Sequence, residues 1–187
     1  RLAELSAQGV RVVLFTGNHD MWCYDYLAQE CGVEIVRNPR VVEFDGVKVH
    51  LAHGDNLNIS GQPMLKLMNT IFRSGVARTL FSWLVHPDLA LKFGLWWSGK
   101  SRKSHNKTLM GVDNLRPLVE YAREHNLKNG DVEHYIFGHM HLPHYVREER
   151  FEILFLGDWC GAEAVYATMD DDNNLKLNTF AIDETVS

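Results

Sequence analysis

Three apolar runs in this chain each stop beside a glycine and a histidine, and that repeated ending constrains the fold more than any other feature. Val10-Arg-Val-Val-Leu-Phe-Thr16 runs into Gly17-Asn18-His19-Asp20, Val47-Lys-Val-His-Leu-Ala52 into His53-Gly54-Asp55, and His134-Tyr-Ile-Phe137 into Gly138-His139-Met140-His141. Short β-branched and aromatic runs of this kind read as strands. Open α/β sheets gather their ligand-binding groups just past the C-terminal ends of strands. Taken singly, each ending is ambiguous: Gly-His-X-His is frequent on solvated loops, and Asn or Asp after a strand commonly caps a helix. Taken together, they bring an amide oxygen, several imidazoles and a carboxylate toward one sheet edge. A mixed oxygen and nitrogen donor set suits Mn²⁺, Fe²⁺ or Zn²⁺ better than Ca²⁺. Two such ions about 3.5–4 Å apart can hold both the attacking and the leaving oxygen of a phosphoryl transfer.

The remaining pattern fits an α/β domain. Val10 to Thr16 is nearly continuous in apolar residues and is expected to be a strand buried on both faces. Arg1 to Gln8 reads as the end of a helix closed by Gly9, so the chain is expected to be part of a longer protein. Met21 to Cys31 reads as a helix stopped at Gly32, and Val33 to Val36 as a short strand. Asp45-Gly46, between two alternating runs, is a hairpin signal. His50 alternates with the apolar positions of its strand and is expected to be structural. Val112 to His125 reads as an amphipathic helix. Strands are then expected at Tyr145-Val146, Phe151–Leu156, Ala164–Met169 and Leu175–Phe180, as the second half of a sheet sandwich. With no repeat or linker in view, one domain spanning 1–187 is expected, with an insertion at 57–110.

That insertion breaks the alternation. Met64, Leu65, Leu67, Met68, Ile71 and Phe72 share a broad helical face, and Val76, Ala77, Leu80, Phe81, Leu84 and Val85 share a second. Residues 57–110 hold eight Lys or Arg and one acid, Asp88, a net of +7, whereas the rest of the chain holds 11 basic and 23 acidic residues. A basic block in an acidic protein points to an anionic partner. Two readings stand: a helical insertion packed on itself, or a lid whose apolar faces meet a lipid chain or a membrane while its cations meet phosphates. The three cysteines, Cys23, Cys31 and Cys160, lack metal-type spacing and are expected to be reduced, as in a cytoplasmic protein.

The endings resemble the motifs of the calcineurin-like metallophosphoesterases, whose core runs Asp-X-His, Gly-Asp-X-X-Asp, Gly-Asn-His-Asp/Glu, a His usually followed by Gly, and Gly-His-X-His. The last three stand here as Gly17-Asn18-His19-Asp20, His53-Gly54 and Gly138-His139-Met140-His141. The first two would lie upstream of Arg1. The resemblance implies a four-layer α/β/β/α sandwich, with its first strands outside this chain and a helical lid inserted at 57–110. It implies two divalent metal ions, Mn first and Fe or Zn as alternatives. Asn18, His53 and His139 would serve one ion and His141 the other, with a bridging carboxylate from an upstream motif. His19, held by Asp20, would contact the scissile phosphate and serve the leaving group.

Within that family the chain is similar to the lipid A pathway pyrophosphatases. The features are the basic, apolar insertion after His53-Gly54, the stretch Ser104-His-Asn-Lys107 leading to Gly111-Val-Asp-Asn114, and Leu156-Gly157-Asp158-Trp159. Position 19 departs from the well-known members, which carry Arg there. The resemblance implies hydrolysis of the pyrophosphate bond of a nucleotide-linked glycolipid, UDP-2,3-diacylglucosamine, to UMP and 2,3-diacylglucosamine 1-phosphate. Acyl chains would lie against the lid, at about 0.8 kcal/mol per buried methylene. Lys100, Lys103 and Lys107 would meet the substrate phosphates or sugar. The expected location is cytoplasmic, peripheral on the inner membrane, with no nucleic-acid partner. Two other readings stay open: a two-metal phosphoesterase acting on a nucleotide or phosphodiester, and a non-catalytic scaffold on the same fold.

Overall fold

The turn at Asp45-Gly46 starts the main sheet. Both residues take positive φ, 47° and 87°, the twist that suits a two-residue hairpin. It joins β3 (Arg40–Phe44) to β4 (Val47–Ala52) as an antiparallel pair with Phe44 opposite Val47. In the computed structural model of the chain, the described residues are 1–18, 20, 23–57, 63–86, 88–92, 94–96, 111–159 and 163–181. Beside β4 lie β5 (His134–Phe137) and then β7 (Glu152–Phe155), both parallel to their neighbour, and β6 (His144–Arg147) closes the far edge antiparallel to β7. The order is β3-β4-β5-β7-β6. Two small sheets accompany it: β1 (Val13–Phe15) parallel to β2 (Glu34–Val36), and the hairpin of β8 (Glu163–Met169) with β9 (Leu175–Ala181). The α/β class expected from the sequence is the class the chain adopts.

One helix builds most of the core. After a 3₁₀ turn at Val112–Leu115, the longest described helix runs from Arg116 to Asn129. Leu115, Leu118, Ala122 and Asn126 recur every three or four residues and are the buried stripe. Against it pack Tyr135, Phe137, Ile153 and Phe155 from the parallel strands, all fully buried. Asn126 does not leave its amide stranded, since Nδ2 donates to the Val132 carbonyl at 2.8 Å. Other helices are α1 (Leu2–Ala7), α2 (Tyr26–Cys31), α3 (Pro63–Arg73) and α4 (Gly75–Leu84); the described residues 88–92 and 94–96 are helical as well, and the core helix is labelled α5. None is long and apolar enough to cross a membrane among the described residues.

Several boundaries differ from expectation, for physical reasons. The first strand is three residues long and is not buried on both faces: Val13 is exposed, and Leu14 and Phe15 are half-buried. Among the described residues it pairs with β2 alone, so its apolar pattern outruns the burial available. Helix α2 starts at Tyr26 instead of Met21, because the backbone first turns: Asp20 N–H donates to Gly17 O and Cys23 N–H to Asp20 O. The last two strands form their own hairpin sheet, while β6 and β7 extend the central one.

His50 is structural, as its alternation implied. It is 2% exposed, stacks on Tyr135 with centroids 5.2 Å apart, and meets His125 edge-on at 4.8 Å. Its Nε2 lies 3.1 Å from the Tyr121 hydroxyl. Burial, with His125 beside it, pushes the His50 pKa down to about 4, against a smaller opposing effect of its own backbone hydrogen bond. At pH 7 the group is neutral folded or unfolded. Below about pH 6.5 the unfolded chain takes up a proton that the folded one refuses until about pH 4, a difference of about 3 kcal/mol. Stability should therefore hold above pH 6.5, fall between 6.5 and 4, and level off below. Urea midpoints measured across that range should show the slope, and His50→Phe should flatten it.

Candidate metal centre

The parallel pairing of β4 with β5 continues past the strands and builds one side of the site. Ala52 lies opposite Phe137 at the last rung. Beyond it, the N–H groups of Gly138 and His139 both donate to the His53 carbonyl, at 3.1 and 2.8 Å. The two histidines are thus held level at the C-terminal edge. His139 Nδ1 stands 3.2 Å from His53 Nε2, with the rings edge to face.

The other side comes from the loop after β1. Thr16 N–H donates to Val36 O at 2.9 Å, which fastens the loop to β2. The loop then closes on itself, with Gly17 N–H donating to Asp20 Oδ2 at 3.0 Å. Asn18 Oδ1 is delivered 3.1 Å from His53 Nε2. The approach leaves no space: a Cβ on Gly17 would fall 2.5–2.8 Å from three atoms of the His53 ring. Gly54 answers a different need, since it takes φ +109°, which a residue with a side chain rarely adopts. That conformation turns the chain away after His53 and buries Asp55.

Asn18 Oδ1, His53 Nε2 and His139 Nδ1 fit a shared cation. A ring nitrogen has one in-plane direction to offer and, in a neutral imidazole, is either donor or acceptor. His53 Nε2 therefore cannot make two good hydrogen bonds, one to the oxygen and one to the second ring nitrogen. An ion between the three would use every lone pair. The separations of 3.1 and 3.2 Å match adjacent ligands of an ion with bonds of about 2.0–2.2 Å. Among the described residues no group of three His, Cys, Asp or Glu side chains forms; the third donor here is an amide.

His141 stands apart from this trio. It takes φ +53°, and its Nδ1 lies 3.1 Å from Asp158 Oδ2, both side chains half-exposed. A carboxylate on one imidazole nitrogen fixes the ring and leaves the other nitrogen to a ligand. The expected residues His19, Lys100, Lys103 and Lys107 lie outside the described residues, as does any contact of Asp20 with His19.

The sequence reasoning assigned no role to Asp158 or to a buried pair behind His53. Arg73 Nη2 donates to both oxygens of Asp55, at 3.0 and 2.9 Å, and Nη1 donates to Arg37 O at 2.8 Å. Asp158 sits inside the Leu156–Trp159 stretch that the sequence had singled out. For Asp55 the available signal was its place directly after His53-Gly54, where a carboxylate turned inward needs a cation.

A family model described as calcineurin-like phosphoesterase matches residues 1–143. A UDP-2,3-diacylglucosamine hydrolase of Porphyromonas gingivalis is 36% identical over 173 residues, covering 85% of this chain and 65% of that protein. Proteins of the same name from Pseudomonas fluorescens and Haemophilus ducreyi are 25% and 24% identical, covering 96% and 84% of this chain and 71% and 65% of their own lengths. The chain thus spans about two thirds of the length of these relatives.

Gly17→Ala tests the trio directly. Its methyl group must displace the His53 ring, so Mn²⁺ binding to the full-length protein, measured by isothermal titration, should weaken by about tenfold or more, with the far-UV spectrum unchanged.

Proposed function

Since the chain belongs to the calcineurin-like phosphoesterase family, we propose that the protein it forms is a two-metal hydrolase that cleaves the pyrophosphate bond of UDP-2,3-diacylglucosamine. The carrying observation is an exposed apolar surface on the insertion that leaves the site just after His53. On α4, Val76, Leu80, Trp83 and Leu84 form one face, and Trp83 is 87% exposed. Leu89, Leu91, Leu95 and Trp96, later in the same insertion, are exposed as well. An apolar face this extensive on a water-facing segment marks a binding surface, and the cations of the same insertion suit a phosphorylated lipid. The relatives named for that substrate support the same choice.

Asn18, His53 and His139 would hold one ion, and His141, steadied by Asp158, would serve a second, with further ligands from motifs upstream of Arg1. Divalent ions at such a site supply Lewis-acid polarisation of the phosphoryl oxygens and lower the pKa of a water; Mn²⁺ is the proposed identity. Water adds to the α-phosphorus, the bond from that phosphorus to the bridging oxygen breaks, and the two products are UMP and 2,3-diacylglucosamine 1-phosphate. The proton released by the attacking water balances the charge of the departing phosphate. His19, oriented by Asp20, meets the scissile phosphate and stabilises charge developing on its oxygens. Lys100, Lys103 and Lys107 hold the phosphates and sugar. The apolar faces of the insertion hold the acyl chains and rest on the cytoplasmic surface of the inner membrane. In this reading residues 1–187 are the later part of one domain, and 57–110 are its lid.

The test is direct. Full-length protein given UDP-2,3-diacylglucosamine and Mn²⁺ should release UMP, followed by mass spectrometry, and EDTA should stop it. Turnover of bis(p-nitrophenyl) phosphate without UMP release would leave a phosphoesterase of another substrate; turnover of neither would leave a scaffold. His19→Ala should keep its metal by elemental analysis and lose about 10²-fold or more in kcat. Trp96→Ser with Trp97→Ser should lower kcat/KM for the lipid substrate about tenfold, the soluble phosphodiester being unaffected. Equal losses on both substrates would refute the acyl-binding role.

A further inference from the structure

At four described positions helix α3 turns polar side chains inward and apolar ones outward. Leu67 and Ile71, one turn apart, are about half exposed, whereas Asn69 and Arg73, also one turn apart, face the body of the protein. Asn69 is 8% exposed and donates from Nδ2 to the Asp55 carbonyl at 3.3 Å. Arg73 holds both carboxylate oxygens of Asp55, whose side chain is 3% exposed. The same guanidinium donates to Arg37 O, and Arg37 in turn donates from Nη2 to Cys23 O at 2.6 Å.

The segments joined in this way are those that carry the donor trio. Asp55 lies two residues after His53. Cys23 lies in the stretch after Asn18, and Arg37 directly follows β2, whose partner β1 leads to Asn18. Asn18 and His53 follow strands of different sheets, so among the described residues no strand ladder sets their spacing. The Arg73 guanidinium crosses that gap. Its two arms point to fixed acceptors on opposite sides, a task for which a planar fork is suited and a single ammonium is not.

We propose that Arg73, paired with Asp55, is a positioning residue that sets the distance between Asn18 Oδ1 and His53 Nε2. The insertion then does more than cover a substrate: its first helix aligns the donors. Arg73 touches no reacting atom and acts through the two loops. The inference rests on reading the trio as an ion-binding set, and the experiment separates the two. Metal sites tolerate displacements of about 0.5 Å in their ligands, so loosening either loop should appear first as lost affinity.

The measurement is Co²⁺ binding to the full-length protein, by isothermal titration and by the visible d–d absorption, for wild type, Arg73→Met, Arg73→Lys and a control on exposed α4, Thr79→Ala. Arg73→Met should weaken binding about tenfold or more and alter the d–d bands, with the far-UV spectrum retained. Arg73→Lys should fall between, since it keeps the charge beside Asp55 but cannot also reach the Arg37 carbonyl, and Thr79→Ala should match wild type. If Arg73→Met does not fold, Arg73→Lys decides: affinity at least threefold weaker supports the proposal and affinity equal to wild type overturns it. Binding by Arg73→Met within twofold of wild type overturns this inference and leaves the ion-binding trio standing. A wild-type protein that takes up no Co²⁺ or Mn²⁺ overturns both.

Discussion

The parallel ladder between β4 and β5 decides where the rest of the site stands. Its register puts Ala52 opposite Phe137, and the next residues, His53 and Gly138, leave the sheet at the same height. A slip of one residue would turn every side chain to the opposite face and carry His139 away from His53. That register is secured from below: Tyr135 and Phe137 lie fully buried under α5, and Val49 and His50 are almost as deep. Hydrophobic burial in the middle of the sheet therefore fixes polar geometry at its edge. The turn back onto the His53 carbonyl by two successive N–H groups completes the transfer.

The insertion follows a different logic. Helices normally dock by an apolar stripe, and α5 does so. Helix α3 docks by Asn69 and Arg73 and leaves Leu67 and Ile71 to solvent. A buried carboxylate such as Asp55 would be costly without its cation, and Arg73 Nη2, donating to both of its oxygens, offsets part of that cost. Leu67 and Ile71 of α3, with Val76, Leu80, Trp83 and Leu84 of α4, are exposed and available for contacts outside the core. One helix thus separates the tasks of attachment and recognition onto opposite faces.

Much of this was legible in the sequence, and the gaps have physical causes. Strand ends showed themselves because apolar runs stopped at glycines with polar followers, a local signal. The Asp45-Gly46 hairpin was equally local. The central sheet, α5 and the buried His50 followed from periodicity. Neighbours in space decided the features that were missed. Val10 to Thr16 looks buried on both faces, but burial depends on elements that a single strand cannot announce. The late start of α2 comes from two turn hydrogen bonds between Asp20 and its neighbours. The charge of Arg73 was visible as part of a basic block, yet its partner lies 18 residues away and on another element. Asp158 and His141 are likewise 17 residues apart, and only the fold brings them together.

Asn18 hangs from the β1–β2 pair, whereas His53 and His139 belong to the five-stranded sheet. The donor trio therefore straddles a seam. Any ligand that needs all three atoms binds only when the seam is closed, so by linkage its binding free energy is also cohesion between the two sheets. Such a ligand at a hundred times its dissociation constant would add about 2.7 kcal/mol to that closure. The β1–β2 pair carries Asn18 to that seam, and its hold on the five-stranded sheet would rise and fall with occupancy.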